Sequence, residues 1–88
     1  MTLREALSVT SFPIVAFPRL AERPIFINMG ASQLLELLPP EMLTRPVWHI
    51  SAWDYAVYIE LECNISESDE EFLLAHFQKY FATDPDAD

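Results

Sequence analysis

A chain of 88 residues that is 51% hydrophobic and 22% charged has material for one core and not for two. One glycine excludes the phosphate-cradling loops GxGxxG and GxxxxGK[ST], and eleven aromatic residues (six Phe, three Tyr, two Trp) exclude a disordered chain. Cys63 is the only cysteine, which rules out an intramolecular disulfide and a cysteine-based zinc cluster.

Thr2 and Glu5 have capping-box spacing, which predicts a short helix over about 3–10 with Leu3, Ala6, Leu7 and Thr10 facing inward. Arg4 followed at once by Glu5, and then Ser8, Thr10, Ser11 and Pro13, do not read as a signal peptide. No apolar run is long enough to span a bilayer, so the expectation is a soluble, cytoplasmic protein. Pro13 and Pro18 bracket Ile14–Phe17, a composition that suits an edge strand. Arg19–Arg23 reads as a polar connection with one helical turn, and Ile25–Asn28 as a better strand.

Ser32 is the expected cap of a helix over about 32–38 carrying Leu34, Leu35, Leu37 and Leu38. Pro39 stops it, and Pro40 opens a turn through Leu43. A helix so nearly apolar all round is either buried or covered by a partner, which makes these leucines the candidate oligomer patch.

Val47–Trp53 and Tyr55–Cys63 form the clearest pair of runs, the second alternating apolar and polar residues. A hairpin about Trp53–Asp54 pairs Ala52 with Tyr55, Ile50 with Val57 and Trp48 with Ile59 on the apolar face, although nothing in the turn excludes a longer loop. The opposite face then holds Val47, His49, Ser51, Ala56, Tyr58, Glu60 and Glu62, with Cys63 a core thiol. Ser66 caps a final helix over about 67–82, its inner stripe Leu73, Leu74, Phe77, Tyr80 and Phe81. Residues 1–82 thus read as a single α+β domain and residues 83–88 as a short acidic tail. The expected architecture is a three- to four-stranded, mainly antiparallel sheet with two to three helices on one face.

The net charge of −9 is unevenly spread. Residues 1–46 hold four acids and four arginines, whereas residues 47–88 hold ten acids and one lysine. A field of that sign argues against direct nucleic-acid or anionic-membrane binding and speeds encounter with a basic protein surface. The plainer alternative is that it maintains solubility.

No catalytic motif appears. His49 near Tyr58, Glu60 and Glu62 falls short of the three or four ligands a metal needs, and His76, four residues after Phe72, reads as a structural contact. Asp84, Asp86 and Asp88 lack the glycine and the distal glutamate of a calcium loop. No cofactor, metal or catalytic residue is therefore expected.

The candidate partner-binding residues are Glu60, Glu62, Glu67, Asp69, Glu70 and Glu71, which share a ridge if sheet and helix edges adjoin, with Tyr58 and an exposed Trp53; Trp48 is expected in the core. The leading expectation is a non-enzymatic adaptor, regulator or inhibitor that docks on a basic partner. The alternatives are a nucleic-acid mimic that blocks a DNA- or RNA-binding protein, and a structural subunit or homodimer whose charge serves solubility alone.

Overall fold

Helix α1 (Leu3–Ser8) begins as its spacing predicts. In the computed structural model, which describes residues 1–52 and 57–82, the Glu5 backbone N–H donates to Thr2 Oγ1 (3.2 Å). The Thr2 backbone N–H donates in return to Glu5 Oε1 (2.9 Å). Leu3, Ala6 and Leu7 are buried on one side of this short helix. Strands β1 (Pro13–Phe17) and β2 (Ile25–Asn28) follow as an antiparallel pair, Val15 opposite Ile27. The segment between them forms no helical turn; Arg19 Nε instead donates to the Arg23 carbonyl (2.7 Å).

Gly30, rather than Ser32, caps α2 (Ala31–Leu37), and the Ala31 N–H is satisfied by the Ser11 carbonyl (2.8 Å). Pro40 opens a one-turn helix α3 (Pro40–Leu43). Strands β3 (Val47–Ala52) and β4 (Val57–Leu61) pair antiparallel, and Ser66 caps α4 (Glu67–His76) by accepting from the Asp69 N–H (3.2 Å).

The sheet is mixed, in the order β2-β1-β4-β3, with β1 parallel to β4 and the other two pairs antiparallel. The fold is α+β. Contrary to the edge-strand expectation, β1 is interior. Pro13 is the strand's first residue and Pro18 lies beyond its last, so neither removes a ladder donor from the middle of the strand. Val15, Phe17, Ile25, Ile27, Ile59 and Leu61 form one core with Leu3, Leu7, Leu34, Met42, Leu43, Leu73 and Phe77. The helices therefore cover a single face of the sheet.

Packing corrects the expected hairpin and the residues around it. The β3–β4 register is two residues longer than a tight turn allows: Ala52 pairs with Val57 and Ile50 with Ile59. The turn proposed at Trp53–Asp54, together with Trp53, Tyr55 and Ala56, lies outside the described residues, as does the tail 83–88. A bulge between Val47 and His49 turns Val47 towards the core, opposite Leu61, and leaves Trp48 63% exposed instead of buried. Strand β4 ends at Leu61, so Cys63 is exposed rather than a core thiol.

Helix α4 ends at His76 instead of about 82. Phe77 leaves the helical region and buries its ring, a short 3-10 turn (Gln78–Tyr80) follows, and Phe81 pairs with Ile27 at the free edge of β2. Leu74 and Tyr80, expected in the inner stripe, are consequently exposed. Among the described residues no helix is long and apolar enough to cross a membrane.

The leucine patch also dissolves. Leu34 and Leu38 are core residues, Leu35 packs partly against the core, and Leu37 alone is substantially exposed, at 52%. Leu34→Ala should cost about 3 kcal/mol, because a buried leucine leaves a cavity the surroundings fill only in part. Leu37→Ala should stay within about 0.5 kcal/mol. Urea unfolding of both variants checks the contrast.

The capping box gives a pH signature as well. Donation to Glu5 from the Thr2 backbone, and secondarily from its hydroxyl, holds that carboxyl below the usual carboxylate range. The ionised carboxylate is thus favoured in the folded state. Its stabilising effect is present above the ordinary glutamate pKa and disappears as pH falls through the lowered one. Glu5→Gln should lower the thermal midpoint at neutral pH and leave it unchanged in strong acid.

Candidate functional site

Because every helix packs against one side of the sheet, the other side is left to the side chains of alternate strand residues. The registers define two rows across it. One runs Asn28, Ile14, Tyr58, Ser51, and the other Phe26, Ala16, Glu60, His49. Ile14, Ser51, Tyr58 and Glu60 are half-buried, and Asn28 and His49 are exposed.

The rings on this face form a continuous series. Phe26 lies 6.3 Å from Tyr58, Tyr58 lies 6.5 Å from His49 in an edge-on arrangement, and His49 lies 5.6 Å from Trp48. These are centroid separations of interacting aromatic pairs. Ala16 makes the series possible. It occupies the strand between β2 and β4, and neighbouring strands stand about 4.8 Å apart, so a larger side chain there would part Phe26 from Tyr58. Ala16 is fully buried beneath them.

Glu60 is the only charged residue in the two rows. Its Oε1 accepts from the Tyr58 hydroxyl (3.3 Å), and in the ladder it stands opposite His49. Among the described residues no group of three or more His, Cys, Asp and Glu is arranged to hold a metal ion.

The six carboxylates expected on one ridge are divided. Glu60 belongs to the helix-free face, whereas α4 packs through Leu73 on the opposite side. Asp69, at 5% exposure, is buried and accepts from Arg45 Nη2 (3.0 Å), and Glu70 accepts from Arg19 Nη1 (2.9 Å), which also bridges to Glu22 (2.6 Å). Two first-half arginines thus fold onto the start of α4 and neutralise charge that the linear sequence leaves unbalanced. Glu62, Glu67 and Glu71 stay exposed. Trp53 falls among the residues not described.

Phe26, Ala16, Arg19 and Arg45 were not singled out by sequence reasoning. The first two become visible only once β1 is known to separate β2 from β4. The arginines carry no local signal for their distant partners. A second feature, a cleft of about 330 Å³ between the end of α2 and α4, is lined by Leu37, Phe72, His76 and Phe77, with the His76 ring 4.6 Å from that of Phe72. That contact explains His76 structurally.

No family model matches the chain, and neither a curated protein nor a solved structure shows significant similarity to it.

Asp69→Ala should destabilise the fold by about 2 kcal/mol, since it strips a half-buried guanidinium of its carboxylate. Exposed Glu71→Ala should change stability by less than about 0.5 kcal/mol. Thermal unfolding at fixed pH distinguishes them.

Proposed function

We propose that the chain is a non-enzymatic protein-binding module that docks a basic segment of its partner on the helix-free face of the sheet. The observation that carries this reading is the series Tyr58, His49 and Trp48, backed by the buried Phe26, with Glu60 the only charge in the two rows among the described residues. Aromatic faces attract a guanidinium or ammonium group by about 0.5–2 kcal/mol, and an adjacent carboxylate adds a direct ionic partner. The overall charge of −9 contributes at longer range by drawing a cationic partner towards the molecule. Glu62, Glu67 and Glu71 add to that field, while Asp69 and Glu70 serve the fold through Arg45 and Arg19.

A nucleic-acid mimic needs a run of unpaired carboxylates on one surface, and the pairing of Asp69 and Glu70 with Arg45 and Arg19 divides that run.

Titration with an arginine-rich peptide, followed by the amide and indole NMR signals, tests the proposal. Binding should shift the signals of Trp48, His49 and Tyr58 and weaken as salt is added. Glu60→Gln and Tyr58→Leu should each reduce affinity about tenfold, or about 1.4 kcal/mol, whereas Glu71→Gln changes it less than about twofold. Equal affinity across all three variants would refute this assignment of the docking face.

A further inference from the structure

The two edges of the sheet are not treated alike. The free side of β2 is covered by the chain itself: Phe81 bridges to Ile27 and the Ala82 N–H donates to the Phe26 carbonyl (2.7 Å). The start of β3 is covered in the same manner, with Thr2 bridged to Pro46 and the Val47 N–H donating to the Met1 carbonyl (2.8 Å). Beyond that point, among the described residues, no backbone group pairs with the outer side of Trp48–Ala52. Sheet edges left in this state are templates for another strand unless lysine, proline, an inward charge or a bulge guards them. The bulge guards this edge only at Trp48, and His49–Ala52 contains none of these.

We propose that the open edge of β3 pairs antiparallel with the same edge of a second copy of this chain, extending the sheet in the order β2-β1-β4-β3-β3-β4-β1-β2. Charge selects this occupant. Each copy bears −9, so two copies repel wherever carboxylates meet, but Val47–Ala52 has no Asp, Glu, Lys or Arg and brings together surfaces without carboxylates. A cationic partner strand would find no carboxylate on β3 to pair with.

Register selects it too. Directly opposed residues of an antiparallel pair point to the same side, so Ile50, on the helix side opposite Ile59, must meet another helix-side position. The two-fold register centred on Ile50 opposes Ile50 with Ile50 and His49 with Ser51, while Trp48, in the bulge, lies outside this regular stretch. Ile50, which the helix layer leaves 41% exposed, is covered by its own counterpart.

The bulge at Trp48 keeps the regular stretch short. A contact of three regularly opposed residues falls below the roughly 800 Å² per partner of a standard interface, so the dimer is weak and concentration-dependent. Screening the mutual repulsion strengthens it. Added salt therefore tightens this association and weakens the docking of a basic partner.

Sedimentation equilibrium of the whole chain at low and high salt tests the proposal. The expected mass rises from 10.1 kDa towards twice that value with concentration, and more readily at high salt. Ile50→Lys should remain at the monomer mass with an unchanged circular dichroism spectrum. In a Cys63→Ser background, Ile50→Cys should form an intermolecular disulfide under mild oxidation, because directly opposed residues stand within disulfide reach. Ser51→Cys, which meets His49 and not itself, should cross-link at least about tenfold more slowly.

A constant monomer mass up to about 1 mM overturns the proposal. So does an Ile50→Lys chain that associates like its parent, or equal cross-linking at positions 50 and 51. None of these results decides the peptide-docking reading, which is tested through Glu60 and Tyr58 on β4, although Trp48 and His49 belong to both surfaces. Loss of that reading would equally leave the edge contact standing.

Discussion

The parallel pairing of β1 with β4 is the contact on which the remaining structure rests. It joins the β1–β2 hairpin to the β3–β4 hairpin, which without it would be two separate two-stranded ribbons of marginal stability. It also requires β1 to be apolar on both sides, and the buried Pro13, Val15, Ala16 and Phe17 meet that requirement. Placing so short a strand in the centre gives the helices one broad surface to cover and leaves the other surface as a single continuous plane.

That plane owes its character to Ala16. A small residue on the central strand lets aromatic side chains from the strands on either side reach over it, which converts separated residues into one series of rings. Charge is sorted by the same architecture. Two of the four arginines of the first half are drawn to α4, where Arg19 and Arg45 hold Glu70 and Asp69, and among the described residues the two rows of the helix-free face keep Glu60 as their one charge. Structural ion pairs and the docking surface consequently occupy opposite sides of the sheet.

Edges divide the molecule in a similar way. The chain spends Phe81 and Ala82 on the rim of β2, and Met1 and Thr2 on the first residues of β3. These short coverings explain why α4 is abandoned at His76 although helix-compatible residues follow it. Bridging Phe81 to Ile27 satisfies a sheet edge that continued helix would leave open.

How much of this was legible beforehand depends on the distance along the chain. Two helix starts, Thr2 with Glu5 and Ser66 with Asp69, were readable because donor and acceptor stand three residues apart. The α+β class and a two-faced β4 followed from composition and from a two-residue period, which are likewise local properties. Of the docking face, Tyr58 and Glu60 emerged from that period, whereas Phe26 and Ala16 did not.

Tertiary structure alone decided the interior position of β1, the bulge that exposes Trp48, the early end of α4 and the destinations of the arginines. Arg19 meets Glu70 across 51 residues and Arg45 meets Asp69 across 24. No local pattern specifies such pairs, because they form only after the sheet order has brought separate elements together.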